Sequence, residues 1–200
     1  MEYSDFKAVL RDEALPAALV DLDAVEANAD LLLGRLERDI TLRIATKSIR
    51  VPEIVRRLLD RDHRFRGLMT YSAAETAFLH AQGFDDFLLA YPVSRVGEAR
   101  ILAGLAAAGA QLSVAVDCEE HVKLLGEAAV GAGTTLNLCL DVDMSWRPMG
   151  GRAHLGVRRS PIRSGRDATA VAEVAQRQGG VQLTAVLAYE AQIAGMQDTS

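Results

Sequence analysis

Short apolar runs alternate with amphipathic stretches along this 200-residue chain, at roughly the 25-residue spacing of successive βα units. The runs are Ala18 to Leu22, Leu42 to Thr46, Gly67 to Tyr71, Phe87 to Tyr91, Leu112 to Asp117, Leu136 to Val142 and Gln182 to Ala188. They are continuously apolar rather than alternating, which is the signature of parallel strands covered on both faces. Between them, segments such as Val25 to Leu36 and Ala99 to Ala107 place apolar residues at helical spacing with charges interspersed, as helices packed on such a sheet would. Asp23 with Glu26, Ser72 with Glu75 and Asp117 with Glu120 form capping-box patterns at strand-to-helix junctions, where a side-chain acceptor satisfies a free N–H of the first turn. Lys47-Ser-Ile-Arg-Val-Pro52-Glu53 reads as strand end, turn and helix start, because proline fits a first helical turn and acidic residues suit that end of the dipole.

The pattern predicts an α/β fold, and continuous apolar strands fit either a doubly wound sheet or a closed barrel. No GxGxxG follows the first run, which argues against the dinucleotide-binding form of the doubly wound sheet. A (β/α)₈ TIM-like barrel takes about 250 residues. Residues 1–200 are therefore expected to hold about seven βα units as one domain, with an eighth strand lying outside them.

With half of its residues hydrophobic, the chain can bury a sizeable core. Its formal charge of -5 and pI near 5.4 supply no basic footprint for a nucleic-acid backbone. The charged N-terminus and the short Ala/Gly-rich stretch Ile101 to Ala110 suggest neither a signal peptide nor a membrane span, so a cytoplasmic protein acting on a small molecule is expected. Cys118 and Cys139 lie in apolar surroundings outside any CxxC or zinc-type histidine spacing and read as buried free thiols. Asp21, Asp23, Asp141 and Asp143 stand near strand ends, where helix caps and rim hydrogen bonds account for them more simply than a metal. The four histidines, His63, His80, His121 and His154, show no ligand spacing among themselves, and no metal-binding residue is assigned within the chain.

Lysine is scarce: Lys7, Lys47 and Lys123 stand against 19 arginines. A lysine amine can lose its proton when desolvated and attack a carbonyl, whereas guanidinium stays charged. Lys47 falls at a strand's C-terminal end, the face on which barrel active sites are built. It could form a Schiff base there or simply snorkel from the barrel rim.

The stretch Leu42-Arg-Ile-Ala-Thr-Lys47-Ser-Ile-Arg-Val-Pro52 resembles the cofactor-lysine segment of the D-threonine aldolase and D-serine dehydratase-like enzymes, which share the type III pyridoxal-phosphate (PLP) fold of the alanine racemase N-terminal domain. Pro16 to Asn28 is similar to that family's first strand and helix, and Leu187-Ala-Tyr189-Glu-Ala-Gln-Ile-Ala-Gly195 to its seventh-strand segment. The resemblance implies Lys47 as the internal aldimine and Tyr189 beside the cofactor ring; on its own, an aromatic at a strand end is as readily rim packing. The segment from Leu140 to Arg158 resembles the family's sixth-strand motif, in which an arginine precedes a residue-Gly-Val triplet, but here His154 holds that arginine's place. Arg147, Arg158 and His154 thus compete for the cofactor's phenolic oxygen or a substrate carboxylate, a guanidinium fork suiting carboxylate and a histidine suiting proton relay. Arg158-Arg159 reads equally well as a solvated loop pair.

By resemblance the chain is a PLP-dependent lyase, an aldolase or dehydratase acting on β-hydroxy amino acids through an external aldimine. An amino-acid racemase and a PLP-binding barrel without catalysis are the alternatives. The resemblance also implies a homodimer, a C-terminal β-domain lying outside this chain, and a divalent metal, where one is used, bound beyond residue 200. The family's phosphate-cradling Gly-Gly-Thr or Gly-Asn-Thr stretch is likewise not found after the seventh run.

Overall fold

The computed structural model describes residues 2–37 and 39–193. Two helices come first, α1 (Tyr3–Val9) and α2 (Leu22–Arg35), followed by β1 (Leu42–Ala45), α3 (Pro52–Arg61), β2 (Phe65–Thr70), α4 (Ala73–Ala81), β3 (Phe87–Leu89), α5 (Val96–Ala107), β4 (Leu112–Val116), α6 (Glu119–Gly131), β5 (Leu136–Val142), α7 (Gly165–Arg177) and β6 (Val181–Ala188). The strands form one sheet in sequential order, each pairing in parallel with the next. Neighbouring helices α4 to α7 touch one another in series and pack on the strands beside them. This is the βα-unit architecture expected.

Six of the seven apolar runs are strands. Ala18 to Val20 is exposed coil, and Leu22 already belongs to α2. The run leads directly into a helix whose cap is Asp21, accepting from the Ala24 N–H at 3.0 Å, rather than the Asp23 of the expected capping box. Local chemistry decides the matter: once Asp21 satisfies a first-turn donor, Leu22 is committed to helical geometry. The other caps vary in the same way. Ser72 caps α4 through Glu75 N as expected, and Pro52 opens α3, but Cys118, not Asp117, occupies the position before α6.

The core lies between sheet and helices. Phe87, Leu89, Val114, Val116, Leu136 and Leu138 of the central strands are fully buried, and face inward against Val55, Leu102, Val122 and Leu125 of the helices. Each such side chain contributes about 1.5–3 kcal/mol by leaving water. At one margin, β6 was expected to be buried like the rest, yet Val186 is 64% exposed. Among the described residues β6 pairs only with β5, so one side of the strand lacks a covering neighbour.

A bulge shapes the other margin. The β1–β2 register slips between Leu42 and Ile44, and Gly67 in β2 adopts a φ of +71° with Arg43 and Asp86 lying where a Cβ would stand. The Arg43 guanidinium crosses this gap to donate to the Asp86 carboxylate at 2.5 Å and to its carbonyl at 2.6 Å. Only glycine combines that backbone angle with so close an approach.

Candidate active site

The C-terminal ends of β1, β2, β3 and β6 surround a cavity of about 340 Å³. Its floor is apolar, formed by Ala45, Met69, Ala90, Leu187 and Ala188, while Lys47, Tyr71, Tyr91, Tyr189 and Arg159 complete the wall. Lys47 stands two residues beyond β1 in a turn fastened to the neighbouring strand. The Thr46 N–H and its buried hydroxyl both donate to the Met69 carbonyl at 3.1 Å, and the Ser48 N–H closes the turn on Ala45 O at 3.1 Å. The lysine itself is solvent-accessible. Tyr71 and Tyr189 immediately follow β2 and β6. The Tyr71 N–H donates to Glu75 Oε2 at 3.0 Å, and the preceding Thr70 is tied to Thr76 by a buried hydroxyl pair at 2.7 Å.

Arg159 reaches the cavity from the β5–α7 connection. Its Nε donates to Asp141 Oδ2 at 2.7 Å, its Nη2 donates to the Ala90 carbonyl, and its guanidinium carbon lies 5.1 Å from the Tyr91 ring centre and 5.9 Å from that of Tyr189. Stacking on aromatic faces while forking to a carboxylate is a use of arginine that lysine cannot replace. Asp141 is only 1% exposed, and its Oδ1 has no hydrogen-bond partner among the described residues. Burial pushes its pKa up against the opposing charge of Arg159, and the nearby Asp117 and Asp143 push it further. Two residues away the balance reverses. Burial acts to raise Asp143 as well, but hydrogen bonds from Ser145 and Arg163 and the charge of Arg147 hold it below the ordinary carboxylate range.

Of the residues singled out in the sequence, Lys47 and Tyr189 line the cavity together. Arg147, His154 and Arg158 lie in the β5–α7 connection and are not among the lining residues. Arg147 is occupied with Asp143 at 2.9 Å and Ser145 at 3.2 Å, His154 Nε2 sits 3.2 Å from the Gly156 carbonyl, and Arg158 is exposed. Ala194 and Gly195, from the end of the Tyr189 segment, fall outside the described residues. The sequence pattern does not single out Arg159, Tyr71 or Tyr91 as site residues. The two tyrosines each sit within two residues of a strand end, which is the signal that would have found them. Arg159 carries no such signal, since nothing in a run of two arginines says which one turns inward.

No family model matches the chain. In sequence it is 28% identical to a D-threonine aldolase of Arthrobacter sp over 180 residues, 89% of this chain and 44% of that protein. Among solved structures, D-threonine aldolase from Filomicrobium marinum aligns over 88% of this chain and 44% of its own, with a TM-score of 0.72 and 24% identity. D-threo-3-hydroxyaspartate dehydratase from Delftia sp. HT23 aligns over 90% and 44%, with a TM-score of 0.72 and 20% identity. Alanine racemase from Bacillus anthracis aligns over 89% and 42%, with a TM-score of 0.68 and 17% identity. The chain spans less than half the length of each of these proteins. The solved structures show that the chain has the alanine racemase-type fold, and in sequence it is similar to a D-threonine aldolase.

Proposed function

We propose that this chain binds pyridoxal phosphate through Lys47 and serves a lyase acting on β-hydroxy amino acids. The observation that carries the reading is the Lys47 amine standing on an apolar cavity walled by Tyr71, Tyr91, Tyr189 and Arg159 at the strand ends. These residues suit the cofactor. A primary amine is what its aldehyde requires, flat aromatic side chains suit its ring, and 340 Å³ falls within the roughly 300–1,000 Å³ of small-molecule sites. A buried acid holds the Arg159 fork in place, which suits the phenolic oxygen or a substrate carboxylate.

When bound, the cofactor supplies the electron sink for bond cleavage at the amino acid's α-carbon. Lys47 would hold the cofactor through its Nζ, and the same amine, when unbound, would be a proton acceptor within the cavity. Arg159, fixed by Asp141 and the Ala90 carbonyl, orients the anionic end of the substrate. The apolar floor and the tyrosine rings give the reacting atoms a low-polarity lining on the strand side of the cavity. The names of the relatives, an aldolase and a hydroxyaspartate dehydratase, support cleavage or elimination at a β-hydroxy group over racemisation. A homodimer belongs to the same proposal. Among the described residues no helix is long and apolar enough to cross a membrane.

The test is turnover of D-threonine and of 3-hydroxyaspartate by the full protein supplied with pyridoxal phosphate, following glycine plus aldehyde in one channel and ammonia in the other. Product in either channel, abolished by Lys47→Ala, is expected. An undiminished rate in the variant would overturn the reading.

A further inference from the structure

Where β4 ends and α6 begins, three chemically different side chains converge outside the cavity just described. Asp117 Oδ1 lies 2.8 Å from His121 Nδ1, and Cys118 Sγ lies 3.2 Å from that same nitrogen. Asp117 and His121 are largely buried, their side chains 14% and 19% exposed, and Cys118 is half-buried. All three ligand atoms fall within 4.8 Å of one another.

The shared nitrogen is informative. In a Cys–His–Asp relay the imidazole uses its two nitrogens, one for the nucleophile and the other for the acid. Here both partners address Nδ1, which can donate to the carboxylate or accept from the thiol but cannot do both. The arrangement is therefore a poor proton relay. A cation where the three atoms meet would use all of them at once, each as an electron-pair donor.

We propose that Asp117, Cys118 and His121 form a binding site for a divalent metal ion of the zinc class. Tetrahedral bonds of about 2.0–2.3 Å separate neighbouring ligand atoms by about 3.3–3.5 Å. The observed 2.8 and 3.2 Å need to open by a few tenths of an ångström, and the Asp117 and Cys118 ligand atoms, within 4.8 Å of each other, need to settle at that same separation, all by side-chain adjustment. One sulfur, one nitrogen and one carboxylate oxygen select zinc or cobalt over magnesium or calcium, which prefer oxygen alone. The thiolate and carboxylate together neutralise the ion, outweighing the positive end of α6 that points toward it. Beside the cluster a cavity of about 320 Å³, lined by Asp117, Cys118, Glu120 and Asp167 among others, leaves room for a fourth ligand, either water or the carboxylate of Glu120 or Asp167. Binding expels the Cys118 thiol proton to solvent.

None of these residues lines the Lys47 cavity, so metal binding can be read without the proposed cofactor. Titrating the purified full-length protein with cobalt(II) is expected to give a near-ultraviolet sulfur-to-cobalt charge-transfer band and tetrahedral visible bands saturating at one ion per chain, with zinc displacing the cobalt. Cys118→Ser should lose the charge-transfer band, His121→Ala should lose saturable binding, and both Cys139→Ser and Lys47→Ala should keep the full spectrum. Absence of the band in the wild-type protein, or its persistence in Cys118→Ser, would overturn the proposal.

Discussion

The Asp141–Arg159 pair carries the sharpest quantitative prediction. Replacing Arg159 by Met keeps most of the stem's packing but removes the partner of a carboxylate that is 1% exposed and already has one unpartnered oxygen. Breaking a buried pair in this way costs about 3–5 kcal/mol. Protonation of Asp141 sets a ceiling on the electrostatic part of the loss. Keeping it neutral at pH 7 costs about 1.4 kcal/mol for each unit above an unfolded pKa near 3.9, or about 4 kcal/mol in all. Arg159→Met should therefore lose about 3–4 kcal/mol at pH 7, or roughly 6–16 °C in Tm for a domain of this size. Asp141's pKa is raised in the fold and rises further without Arg159, so the native state binds more protons than the unfolded chain. The electrostatic part of the penalty then shrinks as pH falls, to at most about 1.5 kcal/mol at pH 5. Asp141→Asn combined with Arg159→Met should recover at least about 2 kcal/mol relative to Arg159→Met at pH 7. Urea unfolding of the wild type, Arg159→Met and the double variant at pH 7 and pH 5 decides the matter. A single variant within about 0.5 kcal/mol of wild type at pH 7, as an ordinary surface site would be, refutes the reasoning.

Gly67→Ala should cost about 1–3 kcal/mol, because the new Cβ meets a positive φ and the Arg43–Asp86 contact together; thermal unfolding should show Tm lowered by about 2–4 °C per kcal/mol, and an unchanged Tm would contradict the bulge. Asp62 is held at a pKa of about 2 by side-chain and backbone hydrogen bonds with Arg64; the stability this lends is present above the ordinary value of 3.8 and is lost as pH falls toward 2, so Asp62→Asn should flatten the acid limb of a pH-dependent urea series between those values. Cys139 is buried and its thiol is pushed up to about 11 by burial, with the charge of Asp141 adding to it; native protein at pH 8 should leave Cys139 unalkylated until denaturant is added, as peptide mapping would show.

Much of the fold was legible because parallel βα units write themselves in continuous apolar runs. Ala18 to Leu22 was misread for a local reason: a short apolar run is equally a strand or the approach to a helix, and Asp21 settles it by capping α2. Exposure of Val186 was not legible either, since burial of a strand depends on neighbours the strand itself does not encode. In the site, Lys47 and Tyr189 stood out by segment resemblance and by rarity. Arg159 was hidden in a charged pair whose two members differ only in which way the chain turns. Cys118 and His121 were read as unrelated, yet they are three residues apart at the start of α6. That spacing acquires meaning only when the helix start is known to the residue, and the expected cap at Asp117 set it one position early.

The central claim is that Lys47 is the covalent attachment point for pyridoxal phosphate. With only three lysines in the chain, incubation with the cofactor, reduction with borohydride and peptide mapping by mass spectrometry test it directly. Neither Lys7, on the short α1, nor Lys123, paired with Glu119 at 2.9 Å, is among the residues lining the cavity. A reduced phosphopyridoxyl group confined to the Lys47 peptide, and lost in Lys47→Ala, is predicted; label shared with Lys7 and Lys123, or no label at all, would contradict the account.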